Sequence, residues 1–158
     1  MPTFYFKTFG CQMNVADSDD LRRELLCRGY DETTDPLCAD LLIVNTCSVR
    51  ENAEIRAKTR IQEFGRIKKS GAKLWVTGCM AQRLGGRLKE EIKTVDRVIG
   101  AQQNSDFIAH LDNYLPKYDH TGALGKLHTS PGDYIAVMRG CENFCTYCIV
   151  PHVRGPEM

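Results

Sequence analysis

The sequence predicts an α/β fold of the Rossmann-like or flavodoxin-like class, a parallel sheet with helices on both faces. Three observations carry that reading. Short apolar runs alternate with stretches of helical periodicity, and each strand-like run is followed by a helix-like one. One run, Leu41-Leu42-Ile43-Val44, is aliphatic without a break, as expected of a strand covered on both faces.

In chain order, Thr3-Phe4-Tyr5-Phe6 reads as the first strand, ending near Gly10. Leu21 and Leu25 suit a helix that starts near Ser18 and stops at a glycine cap, Arg28-Gly29. Leu41–Val44 is the second strand. Ser48 and Glu51 have the spacing of a capping box, and Ala53, Ala57, Ile61, Phe64 and Ile67 line one face of the helix after it. Leu74-Trp75-Val76 and Val98-Ile99 read as the third and fourth strands. Leu84, Leu88 and Ile92 recur every four residues between them, although Gly85-Gly86 weakens that helix. Phe107, Ile108, Leu111 and Leu115 form a last stripe, with Asn104 or Ser105 as cap and Pro116 as stop. From Pro116 to Gly132 no apolar period survives and Gly122, Gly125, Pro131 and Gly132 punctuate the chain, so it reads as a linker. Tyr134–Met138 is one more strand candidate. A lone strand has nothing to pair with, so the chain reads as a fragment cut just inside a second domain. The expected division is residues 1–115, a linker over 116–133, and 134–158.

Composition narrows the class. At 158 residues a single domain buries roughly 70% of its unfolded surface, so its eight cysteines exceed what stability requires. The formal charge of +1 favours no partner. No apolar run approaches membrane-spanning length, and Lys7 and Gly10 interrupt the start where a signal peptide stays apolar. The expected compartment is the cytoplasm, where thiols stay reduced and cysteine patterns point to metal or catalysis.

Cys11, Cys47 and Cys79 each follow directly on a predicted strand. In a parallel sheet such residues emerge together at the carboxyl edge, where open α/β sheets bind ligands. The helix amino ends at that edge favour anions, and a thiolate-ligated iron–sulfur cluster is one. Apolar packing of three small thiols and a zinc site are the competing readings. Cys141, Cys145 and Cys148 form C-x3-C-x2-C. Three thiolates there suit three irons of a 4Fe–4S cube, leaving the fourth iron open to a substrate or cofactor. A zinc knuckle completed by His152 is the alternative, although the x3 gap and Tyr147 tilt towards iron–sulfur. Cys27 and Cys38 sit in no motif.

Gly140-Cys141-Glu142-Asn143-Phe144-Cys145-Thr146-Tyr147-Cys148-Ile149-Val150-Pro151, followed by Arg154-Gly155, resembles the radical S-adenosylmethionine motif of the methylthiotransferases. The upstream region resembles that family's amino-terminal domain. Gly10-Cys11-Gln12-Met13-Asn14 and Asn45-Thr46-Cys47-Ser48-Val49-Arg50-Glu51 resemble its MiaB branch, which makes 2-methylthio-N6-dimethylallyladenosine in tRNA.

The resemblance implies that residues 134–158 hold the first strand and cysteine loop of a truncated radical-SAM barrel. It implies two 4Fe–4S clusters, an auxiliary one on Cys11, Cys47 and Cys79 and a radical-SAM one on Cys141, Cys145 and Cys148. S-adenosylmethionine would be chelated at the open iron of the second, with Tyr147 beside its adenine. The implied reaction places a methylthio group at C2 of a prenylated adenosine next to the anticodon, through a deoxyadenosyl radical. The implied partners are tRNA, a reductase or flavodoxin/ferredoxin electron donor and a sulfur donor, with no membrane. Without the full barrel the fragment is expected to be inactive. The alternatives are a sister branch, acting on threonylcarbamoyladenosine in tRNA or on a ribosomal protein, and a zinc-dependent nucleic-acid-binding module without catalysis.

Other signals carry less. Asn14, Asn45, Gln12 and Gln82 flank the thiols and could hydrogen-bond cluster sulfurs, although ordinary loop polarity explains them as well. Arg50, Arg56, Lys58, Arg60, Arg66, Lys68, Lys69 and Lys73 make a basic stretch suited to RNA phosphates or to a solvated helix face. His110, His120 and His128 read as surface residues. No G-x-G-x-x-G follows the first strand, so a dinucleotide site is unsupported.

Overall fold

The computed structural model describes residues 1–49, 51–114 and 136–158. Five parallel strands form one sheet in the order β2-β1-β3-β4-β5. They are β1 (Thr3–Thr8), β2 (Asp31–Glu32), β3 (Leu41–Thr46), β4 (Lys73–Gly78) and β5 (Arg97–Gly100). The helices are α1 (Gln12–Cys27), α2 (Glu51–Ile67), α3 (Cys79–Leu84), α4 (Gly86–Glu91), α5 (Asn104–Tyr114) and α6 (Val150–Arg154). The order is the flavodoxin-like one, in which the chain reverses direction across the sheet between β1 and β3.

Every residue of β3 is buried, as its unbroken aliphatic run requires. Alternation then assigns its side chains to two cores. Leu42 and Val44 join Leu74 and Val76 under Ala57, Ile61 and Phe64 of α2 and Leu88 of α4. Leu41 and Ile43 join Phe4, Phe6 and Trp75 under Leu21 and Leu25 of α1 and Phe107 and Leu111 of α5. Trp75 meets Phe107 edge-on at 5.2 Å, and on the opposite face Tyr5 meets Phe64 at 5.5 Å. Helices thus cover both faces.

Four expectations need correction, and one strand has no counterpart among them. Helix α1 begins at Gln12, not near Ser18, with Cys11 as its N-cap. Strand β2 has no apolar pattern; Asp31 and Glu32 pair with Thr3 and Phe4 through the backbone. Ser48 does not close a box with Glu51: its Oγ donates to Glu54 Oε2 at 3.1 Å instead. The helix read from Leu84 to Ile92 is two single-turn helices broken at Gly85. Of the strand read over Tyr134–Met138, Ala136–Met138 are described and form none, with Val137 95% exposed. Tyr134, Ile135, Leu115 and the expected linker lie outside the described residues, as do His120, His128 and Arg50.

Residues 139–158 nevertheless hold together. Arg139 and Met158 exchange two backbone hydrogen bonds (3.0 and 2.8 Å), and Cys141 N–H donates to Gly155 O at 3.1 Å. Helix α6, with Pro151 in its first turn and Val153 fully buried, packs on α3.

Candidate functional site

At the carboxyl edge three neighbouring strands deliver three thiols. Cys11 caps α1 after β1, Cys47 follows the last residue of β3, and Cys79 opens α3 directly after β4. Neighbouring strands lie about 4.8 Å apart, and β1 and β3 flank the switch point at which such sheets bind ligands.

Two glycines permit this crowding. Gly10, at φ +131°, lets the β1–α1 turn press on β3; a Cβ there would stand 2.9 Å from the Cys47 Cβ and 2.6 Å from Asn14 Oδ1. Gly78, at φ +94°, turns β4 into α3; its Cβ would stand 2.3 Å from both Asn45 Oδ1 and Thr46 O.

Beneath the thiols lies a buried amide network. Asn14 Nδ2 donates to Asn45 Oδ1 (2.9 Å) and Thr46 O (3.0 Å), and Asn45 Nδ2 donates to Asn14 O and Ser18 Oγ (both 2.9 Å). Asn45 is therefore committed to scaffolding and has no N–H left for a ligand. Asn14 still reaches the site, since its Oδ1 accepts from Cys11 Sγ at 3.4 Å. Gln82 is engaged elsewhere: its Oε1 accepts Gln102 N–H at 3.2 Å.

The thiols differ in environment. Cys11 is exposed, Cys47 and Cys79 are buried, and all eight cysteines are free. Cys47 Sγ accepts Val49 N–H at 3.4 Å. Burial pushes the Cys79 thiol up, the Arg154 charge opposes this, and Cys47 and Cys11 add to the upward push.

Arg154 was legible only as part of the motif. It comes from the end of α6, is 9% exposed, and donates its Nε–H to Cys79 Sγ at 3.2 Å. Its Nη1 donates to Asp17 Oδ2, while its Nη2 is buried with no acceptor among the described residues. Sequence reasoning missed Asp17, Asp20 and Arg139 altogether. Asp17 is buried, receives Arg139 through Oδ1, and is seconded by Asp20, which accepts Arg139 Nη2 at 3.0 Å.

Cys141, Cys145 and Cys148 share one loop closed by Cys148 N–H to Cys145 O at 2.9 Å. Cys145 is exposed and the other two are half-buried; Asn143 Nδ2 donates to Cys141 Sγ at 3.4 Å. Tyr147 is 89% exposed on the loop's turn. His152 packs edge-on against Phe144 at 6.3 Å. Among the described residues no three His, Cys, Asp or Glu side chains converge on a position suited to one metal ion.

The donor chemistry does fit a thiolate-ligated, anionic group at the strand ends. Soft sulfur donors select iron–sulfur clusters, zinc or copper(I). The orphaned Nη2 beside Cys79 is the independent sign, because a buried guanidinium donor without an acceptor is costly unless a ligand supplies one.

The basic stretch is largely neutralised. Lys58 pairs with Glu91, Arg60 with Glu63, Lys68 with Asp96 and Lys69 with Asp40, all at 2.7–2.9 Å. His110 is half-buried against Trp75 (6.3 Å) rather than lying free on the surface. No helix among the described residues is long and apolar enough to cross a membrane.

The chain is 39% identical to a Treponema denticola protein named tRNA-2-methylthio-N(6)-dimethylallyladenosine synthase, over 99% of this chain and 40% of that protein. Proteins of the same name from Geobacter metallireducens and Helicobacter acinonychis are 40% and 37% identical, over 98% of this chain and 38% and 37% of theirs. The chain thus spans about two fifths of the length of these relatives. A sequence model of the uncharacterized protein family UPF0004 matches residues 3–100, from the first strand through the last, and with the sheet and its thiol-bearing edge inside that match, the chain belongs to this family.

Proposed function

We propose that this chain forms the amino-terminal part of a tRNA methylthiotransferase of the MiaB type, which adds a methylthio group at C2 of a prenylated adenosine beside the anticodon. The observation that carries the reading is the delivery of Cys11, Cys47 and Cys79 to one sheet edge, with a buried guanidinium bonded to Cys79. The names of the relatives supply the substrate class.

In this reading Cys11, Cys47 and Cys79 hold one 4Fe–4S cluster. Cys141, Cys145 and Cys148 hold a second, at which S-adenosylmethionine binds with Tyr147 against its adenine. When bound, these groups supply the radical chemistry that an unreactive aromatic C–H demands. The protein supplies placement. Gly10 and Gly78 let the turns that carry Cys11 and Cys79 pack tightly against the end of β3, Asn14 Oδ1 accepts from the Cys11 thiol, and Val49 N–H donates to the Cys47 sulfur. Ligation releases the thiol protons, and the Arg154 charge offsets the cost of a thiolate at buried Cys79. A cube takes one thiolate per iron, so its ligands need not meet at a single point. Residues 1–115 constitute the auxiliary-cluster domain, 116–133 the linker and 134–158 the start of the radical-SAM domain. A cytoplasmic location, a flavodoxin- or ferredoxin-type electron donor and a sulfur donor complete the proposal.

The test is anaerobic reconstitution of the full-length protein with iron and sulfide, followed by assay of tRNA nucleosides for the methylthio product. Serine at Cys11, Cys47 and Cys79 is expected to remove about half the bound iron and all product. Stoichiometric zinc with no iron uptake overturns the reading in favour of a binding module.

A further inference from the structure

We infer that Arg154 is a positioning residue of the strand-end thiol site, seated there by Asp17. The Asp17–Arg154 pair joins the C-x3-C-x2-C segment to the sheet rim and sets the charge experienced at Cys79. The inference rests on the cluster reading above and goes beyond it, because it assigns the link between the two cysteine sets to particular side chains.

The geometry of Asp17 is that of a latch. It sits in α1 six positions after Cys11 and is 3% exposed, so its charge is costly unless paired. Each oxygen takes one arginine, Oδ1 from Arg139 and Oδ2 from Arg154. Those arginines bracket the loop, one before Cys141 and one after Cys148. The backbone pairs Arg139–Met158 and Cys141–Gly155 bring the two ends side by side. One carboxylate therefore grips both ends of the loop; Asp20 gives Arg139 a second anchor, whereas the Arg154 end depends on Asp17 for its carboxylate.

Arg154 carries the second half of the inference. Its guanidinium is planar, with donors in a fixed fork. Asp17 fixes one branch, and that fixes the Nε–H on Cys79 Sγ at 3.2 Å. The buried Nη2 without an acceptor belongs to the same rigid plane, so it is held in place near the Cys79 sulfur. A fixed positive charge donating to a ligand sulfur stabilises the more negative, reduced form of a cluster and raises its potential. A purely structural staple would have no such effect.

Two measurements on the full-length protein decide this. In the first, Cys141, Cys145 and Cys148 are replaced by serine so that only the strand-end site takes iron, and the midpoint potential is read by spectroscopic redox titration. R154Q is expected to lower the reduced-to-oxidised ratio at fixed poise about tenfold, or about 59 mV for one electron. R154K, which keeps the charge but not the fork, is expected to recover part of it. In the second, hydrogen exchange is followed without iron. D17N is expected to speed exchange at Arg139, Cys141, Gly155 and Met158 at least tenfold and leave β3 and β4 unchanged; R139Q replaces D17N if that variant does not fold. A potential indifferent to R154Q overturns the tuning role, and unchanged exchange overturns the latch. Failure of the serine-substituted protein to take up iron would instead overturn the cluster reading, and the exchange measurement would still decide the latch.

Discussion

Gly78 and Asn45 show how closely the rim is built. Adding one methyl at Gly78 meets Asn45 Oδ1 and Thr46 O at 2.3 Å, and the backbone there has a positive φ that side chains resist. Gly78→Ala is expected to cost about 2 kcal/mol or more, measured as a lower thermal midpoint by circular dichroism. A midpoint unchanged from wild type would mean that the β4–α3 turn is not under this constraint. Asn45 tests the network from the other side. Asn45→Ala strips Asn14 Nδ2 of one acceptor and Asn14 O and Ser18 Oγ of a donor, all in a buried setting. A loss of about 2 kcal/mol is expected from the stranded groups. A double-mutant cycle with Asn14→Ala reads the coupling, and additive effects would show that the two amides act separately.

At the level of elements, the hydrophobic pattern reports what packs on a core and is silent elsewhere. Helix α2 presents Ala57, Ile61 and Phe64 to β3 and β4, so its apolar stripe is plain in sequence. Phe64→Ala is expected to cost about 3–5 kcal/mol in urea unfolding, because its ring is fully buried in the core and meets Tyr5 edge-on. A cost under 1 kcal/mol would contradict that packing. The first turns of α1 are different. Asn14, Asp17 and Ser18 are buried, yet they face the rim's polar network, so periodicity starts only at Leu21. Strand β2 is two residues held by backbone pairing, which leaves no alternation to read. The thiols were legible because strand ends are marked by the aliphatic runs before them. The Asp17–Arg154 pair spans 137 positions, and no local pattern can announce a contact of that range.

Across the whole molecule, the two edges of the sheet divide the work, and pH separates them. Opposite the thiols, Asp40 accepts Thr3 N–H at 2.8 Å and pairs with Lys69, which ties the starts of β1 and β3. Asp96 accepts Leu74 N–H at 2.9 Å and pairs with Lys68, which ties the starts of β4 and β5. Burial alone would raise both carboxyls, but the lysines and backbone donors outweigh it and hold them below the usual carboxylate range. A depressed carboxyl contributes stability that is complete above its unfolded value near 3.9. That contribution is lost as pH falls through the lower folded value. Asp96, the less exposed of the two, should carry more of this acid limb, because its ion pair is less screened by solvent. The alkaline limb has another origin. Burial, aided by the Asp40 charge, pushes the Tyr30 phenol up to about 12. The stability linked to this phenol should therefore be complete below pH ~10 and be lost as the pH rises from there to about 12. Unfolding free energy measured from pH 2 to 12 is expected to bend at both ends, with Asp96→Asn flattening only the acid bend and Tyr30→Phe only the alkaline one. Parallel curves for either variant would show that the titrating groups lie elsewhere. Because neither variant touches the carboxyl edge, iron uptake at neutral pH should match wild type in both, and a loss in either would mean that the two edges are not independent.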